Sequence, residues 1–168
     1  MVKLFFSLFC FISFANGHPH TFIDVNVTLS STEMQIAWQF DEMTSHALLE
    51  DFDEDHDGIF NATETLNFKK EVFDALKQFS YFTHIKINTK KITFTPKNLH
   101  LMRDGNTFVV KFTVDLKNYE HQKKSIGFWD EEYLCALSLT KEHIFSSSKF
   151  TLKAVDNAYY YGYFLELQ

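Results

Sequence analysis

Between Thr21 and Leu29 apolar and polar residues alternate, with Ile23, Val25, Val27 and Leu29 on one side. Met34, Ile36 and Trp38 repeat the alternation. A period of two sends successive side chains to opposite faces of a strand, so the two runs predict a hairpin turning near Ser30 and Ser31. At Asp41 the period lengthens. Met43, Ala47, Leu48 and Phe52 recur at helical spacing behind Asp41, whose carboxylate suits the free amides at a helix start. A second helical pattern over 63–79 is expected to bury Leu66, Val72, Phe73, Leu76 and Phe79.

Beyond that point the short period returns. Residues 81–95 read as a hairpin around 88–90, and Asp104-Gly105 is a strong turn signal between two alternating runs. Further strands are expected near 124–129, 133–139, 149–155 and 160–166. There is no internal repeat or linker. The expected fold is a single α+β domain, a mostly antiparallel sheet or sandwich with a helix–loop–helix inserted at about 41–80.

The N-terminus has a different character. Lys3, an apolar run over 4–14, and the small residues Ala15 and Gly17 read as a signal peptide over 1–17, cut after Ala15 or Gly17. The domain then occupies 18–168, and export is expected. The run is short for a bilayer, and no later segment offers the ~20 apolar residues of a membrane span. Cleavage removes Cys10 and leaves Cys135 in the apolar stretch YLCALSL, where a small buried thiol is expected rather than a disulfide.

With 168 residues and 45% hydrophobic content the chain can build a core without help from a metal. Its net charge of −6 argues against nucleic acid as a main partner, because phosphate binding needs clustered Lys and Arg. Much of the negative charge is concentrated. Glu50, Asp51, Asp53, Glu54, Asp55 and Asp57 crowd into one short stretch, where like charges repel unless a cation joins them.

The spacing inside this stretch is that of a twelve-residue calcium loop. Asp53, Asp55 and Asp57 fall at positions 1, 3 and 5, and Gly58 at the sharp turn of position 6. Ile59 supplies a carbonyl at position 7, Asn61 sits at position 9, and Glu64 closes the loop at position 12. Hard oxygen ligands at this spacing suit Ca²⁺, and a single loop in an exported chain suits a structural site better than a sensor. His56, at position 4, is expected to point outward.

A second candidate site lies at the start of the mature chain. On an extended strand His18, His20 and Asp24 share a side, and two imidazoles with a carboxylate suit nickel, cobalt, zinc or copper. A cut after Gly17 makes His18 the N-terminus, and a cut after Ala15 places it third from the free amine; either start favours chelation of such a metal. His84, His100, His121 and His143 are scattered, and the sequence does not select one to complete the site. No nucleophile elbow, phosphate loop or zinc-protease motif is present, so no enzymatic activity is expected.

HPHTFIDVNV, WQFDEMTSHALL, the acidic loop, LKQFSYFTHIKIN and FWDEEYLCAL together carry a resemblance. The chain resembles a bacterial family of unknown function labelled an uncharacterized ABC-type transport system, periplasmic component. The resemblance implies a periplasmic protein associated with transition-metal transport systems. The chain is shorter than a two-lobed solute-binding protein, which favours an accessory role. The expectation is a calcium-stabilised periplasmic protein that handles a transition metal for a membrane transporter. The alternative is a calcium-stabilised interaction module in which the histidines hold no metal.

Overall fold

The computed structural model describes residues 19–132, 134–156 and 160–167. The signal-peptide reading and His18 lie outside the described residues. Strands β1 (Thr21–Leu29) and β2 (Glu33–Phe40) form the expected hairpin, turning at Ser30 with Val27 opposite Ile36. Helices α1 (Glu42–Phe52) and α2 (Ala62–Glu71) follow. The remaining strands are β3 (Thr83–Ile87), β4 (Lys90–Ile92), β5 (Lys97–Asp104), β6 (Thr107–Asp115), β7 (Lys124–Phe128), β8 (Cys135–Ser138), β9 (Ile144–Ser146), β10 (Phe150–Asp156) and β11 (Tyr161–Leu167).

They make two sheets. The first has the order β5-β6-β2-β1-β8, with β9 also on β1; the second has the order β10-β11-β7-β3-β4. Pairing is antiparallel except where β8 and β9 lie parallel to β1. The inward residues of both sheets join one apolar core that includes Val25, Trp38 and Phe112 from the first and Ile85, Ile126 and Leu165 from the second. Trp38 is fully buried, packed against Phe73, Phe82 and Phe112. The turns at 88–89 and at Gly105 stand where the sequence places them.

The helices differ in phase and length from the periodic reading. In α1 Met43 is exposed and Ser45 is fully buried, because the Ser45 hydroxyl donates to the Phe40 carbonyl (3.0 Å) and accepts from the Phe108 amide (2.9 Å). That bridge turns Ser45, Leu48, Leu49 and Phe52 toward the sheet and leaves Ala47 outside. Removing the hydroxyl leaves a buried amide unpaired, so Ser45→Ala is expected to cost about 1–3 kcal/mol in urea unfolding.

The expected helix over 63–79 is two pieces. α2 ends at Glu71 and buries Phe68 rather than Leu66, which is exposed; a 3₁₀ segment over Phe73–Phe82 then breaks at its end. There Ser80, Tyr81 and Phe82 all have positive φ (55°, 51° and 51°), a conformation that costs an L-residue roughly 1–2 kcal/mol. The turn is held by its surroundings: Tyr81 and Phe82 are buried, and the Phe82 carbonyl accepts the amide of Trp129 at 3.2 Å.

Candidate functional site

The acidic loop joins α1 to α2. Asp41 starts α1 by accepting from the Thr44 amide and hydroxyl, and it also takes the Phe22 amide of β1. Burial pushes the Asp41 carboxyl up, but those hydrogen bonds outweigh it and hold the group below its ordinary value. Asn61 starts α2 by accepting from the amides of Thr63 and Glu64. Phe52 and Phe68 meet edge to face and hold the two helices together beneath the loop.

Within the loop, Asp53, Asp55 and Asp57 come together, each offering an oxygen within 4.8 Å of the others. Positive φ at His56 (57°) and Gly58 (77°) folds the chain tightly enough to do this. The Gly58 amide donates to Asp53 Oδ2 (3.1 Å), the Asp57 amide to Asp55 Oδ1 (3.2 Å) and the Ile59 amide to Asp57 Oδ1 (2.6 Å). Asp53 is only 2% exposed, yet its Oδ1 has no hydrogen-bond partner. A buried carboxylate oxygen without a donor is costly, and a bound cation is one way to satisfy it.

Glu64 is equally buried, but it does not join the three aspartates within that distance. Its Oε1 accepts from the Glu54 amide and its Oε2 from the Asn61 amide, both at 2.9 Å, so it ties the two ends of the loop. His56 is exposed, as the spacing implied. Among the described residues the three aspartates are the only group of three or more His, Cys, Asp or Glu side chains placed to hold one metal ion.

Of the N-terminal candidates, His20 lies in a bend just before β1 and Asp24 lies on the strand. His20 and Asp24 are both exposed, and Asp24 stands on the outward face of β1 opposite Gln39 and Ser138. The His20 amide donates to the Leu134 carbonyl (3.0 Å), which ties the N-terminal segment to the loop after β7.

That loop is organised by Asp130, which the sequence reading did not single out. Its carboxylate is buried and accepts the amides of Glu132, Leu134 and Cys135 at 2.9–3.0 Å. Burial, with the Asp130 charge alongside, pushes the half-buried Cys135 thiol up to about 12, which keeps it protonated.

Beside the loop Trp129 stands on Gly127 and is stacked between His84 (4.2 Å) and Tyr160 (4.7 Å). His84 sits opposite Gly127 on β3, outside the core. Burial lowers its pKa below the usual 6.5, although the Trp129 carbonyl and Glu131 pull the other way. The segments LKQFSYFTHIKIN and FWDEEYLCAL contain these residues; what the sequence lacks is the pairing of β3 with β7 that brings them together.

A model of the family described as "Protein of unknown function (DUF1007)" matches residues 3–156. The chain belongs to this family. No curated protein and no solved structure matches it. For this DUF1007 member, no helix among the described residues is long and apolar enough to cross a membrane.

Proposed function

We propose that this is an exported, periplasmic accessory protein in which Ca²⁺ braces the α1–α2 segment and the N-terminal histidines hold a transition metal for a membrane transport system of the ABC type. The observation that carries the calcium part is Asp53: its buried, unpartnered Oδ1 lies in a group with Asp55 and Asp57. The segment is then an EF-hand-like helix–loop–helix, with the Ile59 carbonyl, Asn61 and Glu64 as further ligands. Calcium replaces repulsion among the aspartates with shared attraction, and affinities of about 10⁻⁴–10⁻³ M suffice outside the cytoplasm. Glu64 closes on the ion by releasing the amides it now holds.

For the transition metal, support comes from His18 and His20 at the head of the chain, downstream of a signal-peptide pattern. Nickel, cobalt, zinc and copper all accept imidazole ligands. Asp24, exposed on the outward face of β1, is the carboxylate of that ligand set.

Equilibrium dialysis of the exported, untagged chain tests the reading. His18→Ala with His20→Ala is expected to abolish binding of Ni²⁺, Cu²⁺ or Zn²⁺ while Ca²⁺ binding stays intact. Unchanged transition-metal binding in that double variant overturns the transition-metal role. Calcium uptake alone by the parent chain supports an interaction module instead.

A further inference from the structure

His84 is buried with 6% exposure, yet its Nδ1 has no hydrogen-bond partner. Its Nε2 lies 3.2 Å from the Trp129 carbonyl oxygen. A carbonyl only accepts, so the proton of the neutral ring sits on Nε2 and Nδ1 carries the lone pair. Histidines that bind metals commonly have this arrangement, the second nitrogen donating to a carbonyl that fixes tautomer and ring direction. Trp129, stacked on the ring with an interplanar angle of 10°, holds it still.

Nδ1 faces the carboxylate of Glu131, whose Oε1 is 3.9 Å away. That is too long for a hydrogen bond, and a neutral imidazole lone pair and a carboxylate share no proton. Two ligands about 2.0–2.2 Å from a tetrahedral zinc are roughly 3.4 Å apart, so a modest swing of Glu131, 60% exposed, brings both onto one ion. Glu131 belongs to the loop that Asp130 pins and that takes the His20 amide at Leu134.

We infer that His84 Nδ1 and the Glu131 carboxylate form a two-residue transition-metal site. The inference rests on the proposed transition-metal role and adds two ligands to it. An imidazole and a carboxylate with open positions suit Zn²⁺, and they also accept Cu²⁺. Trp129, in contact with the His84 ring, becomes its reporter: Cu²⁺, a paramagnetic ion, quenches the emission of an indole it approaches.

The experiment titrates the exported, untagged chain with Cu²⁺ while following tryptophan fluorescence, and measures Zn²⁺ affinity by calorimetry. One equivalent of Cu²⁺ is expected to quench Trp129. His84→Phe keeps a ring against Trp129 and removes both nitrogens; it is expected to lose the quench and to weaken Zn²⁺ binding by more than ~10-fold, the least that disturbing even an outer partner costs. Glu131→Gln, a change at an exposed position, keeps the fold and gives the same direction of effect. Full Zn²⁺ affinity and full quenching in both variants overturn the inference. If His20→Ala alone then abolishes binding, the N-terminal metal role survives without His84. If His84→Phe abolishes binding and His18→Ala with His20→Ala does not, His84 and Glu131 stand as ligands and the N-terminal metal role falls.

Discussion

Asp53→Asn is expected to abolish the calcium-dependent rise in melting temperature expected of the parent chain. At free Ca²⁺ about 100 times its Kd, binding to the folded chain adds about 2.7 kcal/mol. For a domain of this size that is a rise of about 5–10 °C. Asn at this position keeps an acceptor for the Gly58 amide but loses one of the two anionic oxygens. In excess chelator the sign reverses. Asp53 then carries a buried oxygen without a partner and faces Asp55 and Asp57 within 4.8 Å, so its replacement leaves the melting temperature unchanged or raises it. Two calorimetric scans of each chain, one in chelator and one in calcium, read both arms. An equal calcium shift in the two chains contradicts a site at Asp53.

Gly127→Ala is expected to cost about 3 kcal/mol or more. A Cβ at Gly127 falls 1.8 Å from Cζ3 and 2.2 Å from Cη2 of Trp129. The indole is rigid and is held between His84 and Tyr160, so it cannot slide aside by that much; it has to leave. Loss of a packed tryptophan costs about 3–5 kcal/mol. Urea unfolding followed by fluorescence measures the cost, and the native emission shifts to the red as Trp129 meets water. Gly105→Ala is the control. Its added Cβ meets nothing within 4 Å, so only the positive φ (60°) is strained, at about 1–2 kcal/mol. Equal losses in the two variants contradict the stacked position of Trp129.

Much of the architecture is legible because burial is one-sided. The odd positions of β1, Ile23 to Leu29, are buried and the alternation reports it directly. Asp104-Gly105 announces its hairpin, and Asp41 its helix, through chemistry local to a few residues. Ser45 shows the limit. A serine reads as outward-facing, and only the distant Phe108 amide explains why it faces in. β9 is three residues long and pairs in parallel with β1, so no local pattern marks it. The non-glycine turn at Ser80, Tyr81 and Phe82 has no sequence signature either, because its left-handed backbone is imposed by packing.

The two candidate sites divide along the same line. The acidic loop is contiguous, and its spacing alone brings Asp53, Asp55 and Asp57 together. Glu64 stands outside that group, its carboxylate tying loop amides. The His84 and Glu131 pair comes from two strands and a loop 47 residues apart, joined by the register that sets His84 opposite Gly127. No spacing rule encodes that meeting.

Native mass spectrometry of the exported protein, purified without chelator or tag, tests whether this chain carries two kinds of metal ion. One spectrum reports the mature N-terminus and the bound ions together. The account predicts a chain starting at Asn16 or His18 that carries one Ca²⁺ and takes up one equivalent of Ni²⁺, Cu²⁺ or Zn²⁺. A mass that stays that of the bare polypeptide after addition of calcium and of each transition metal would contradict it.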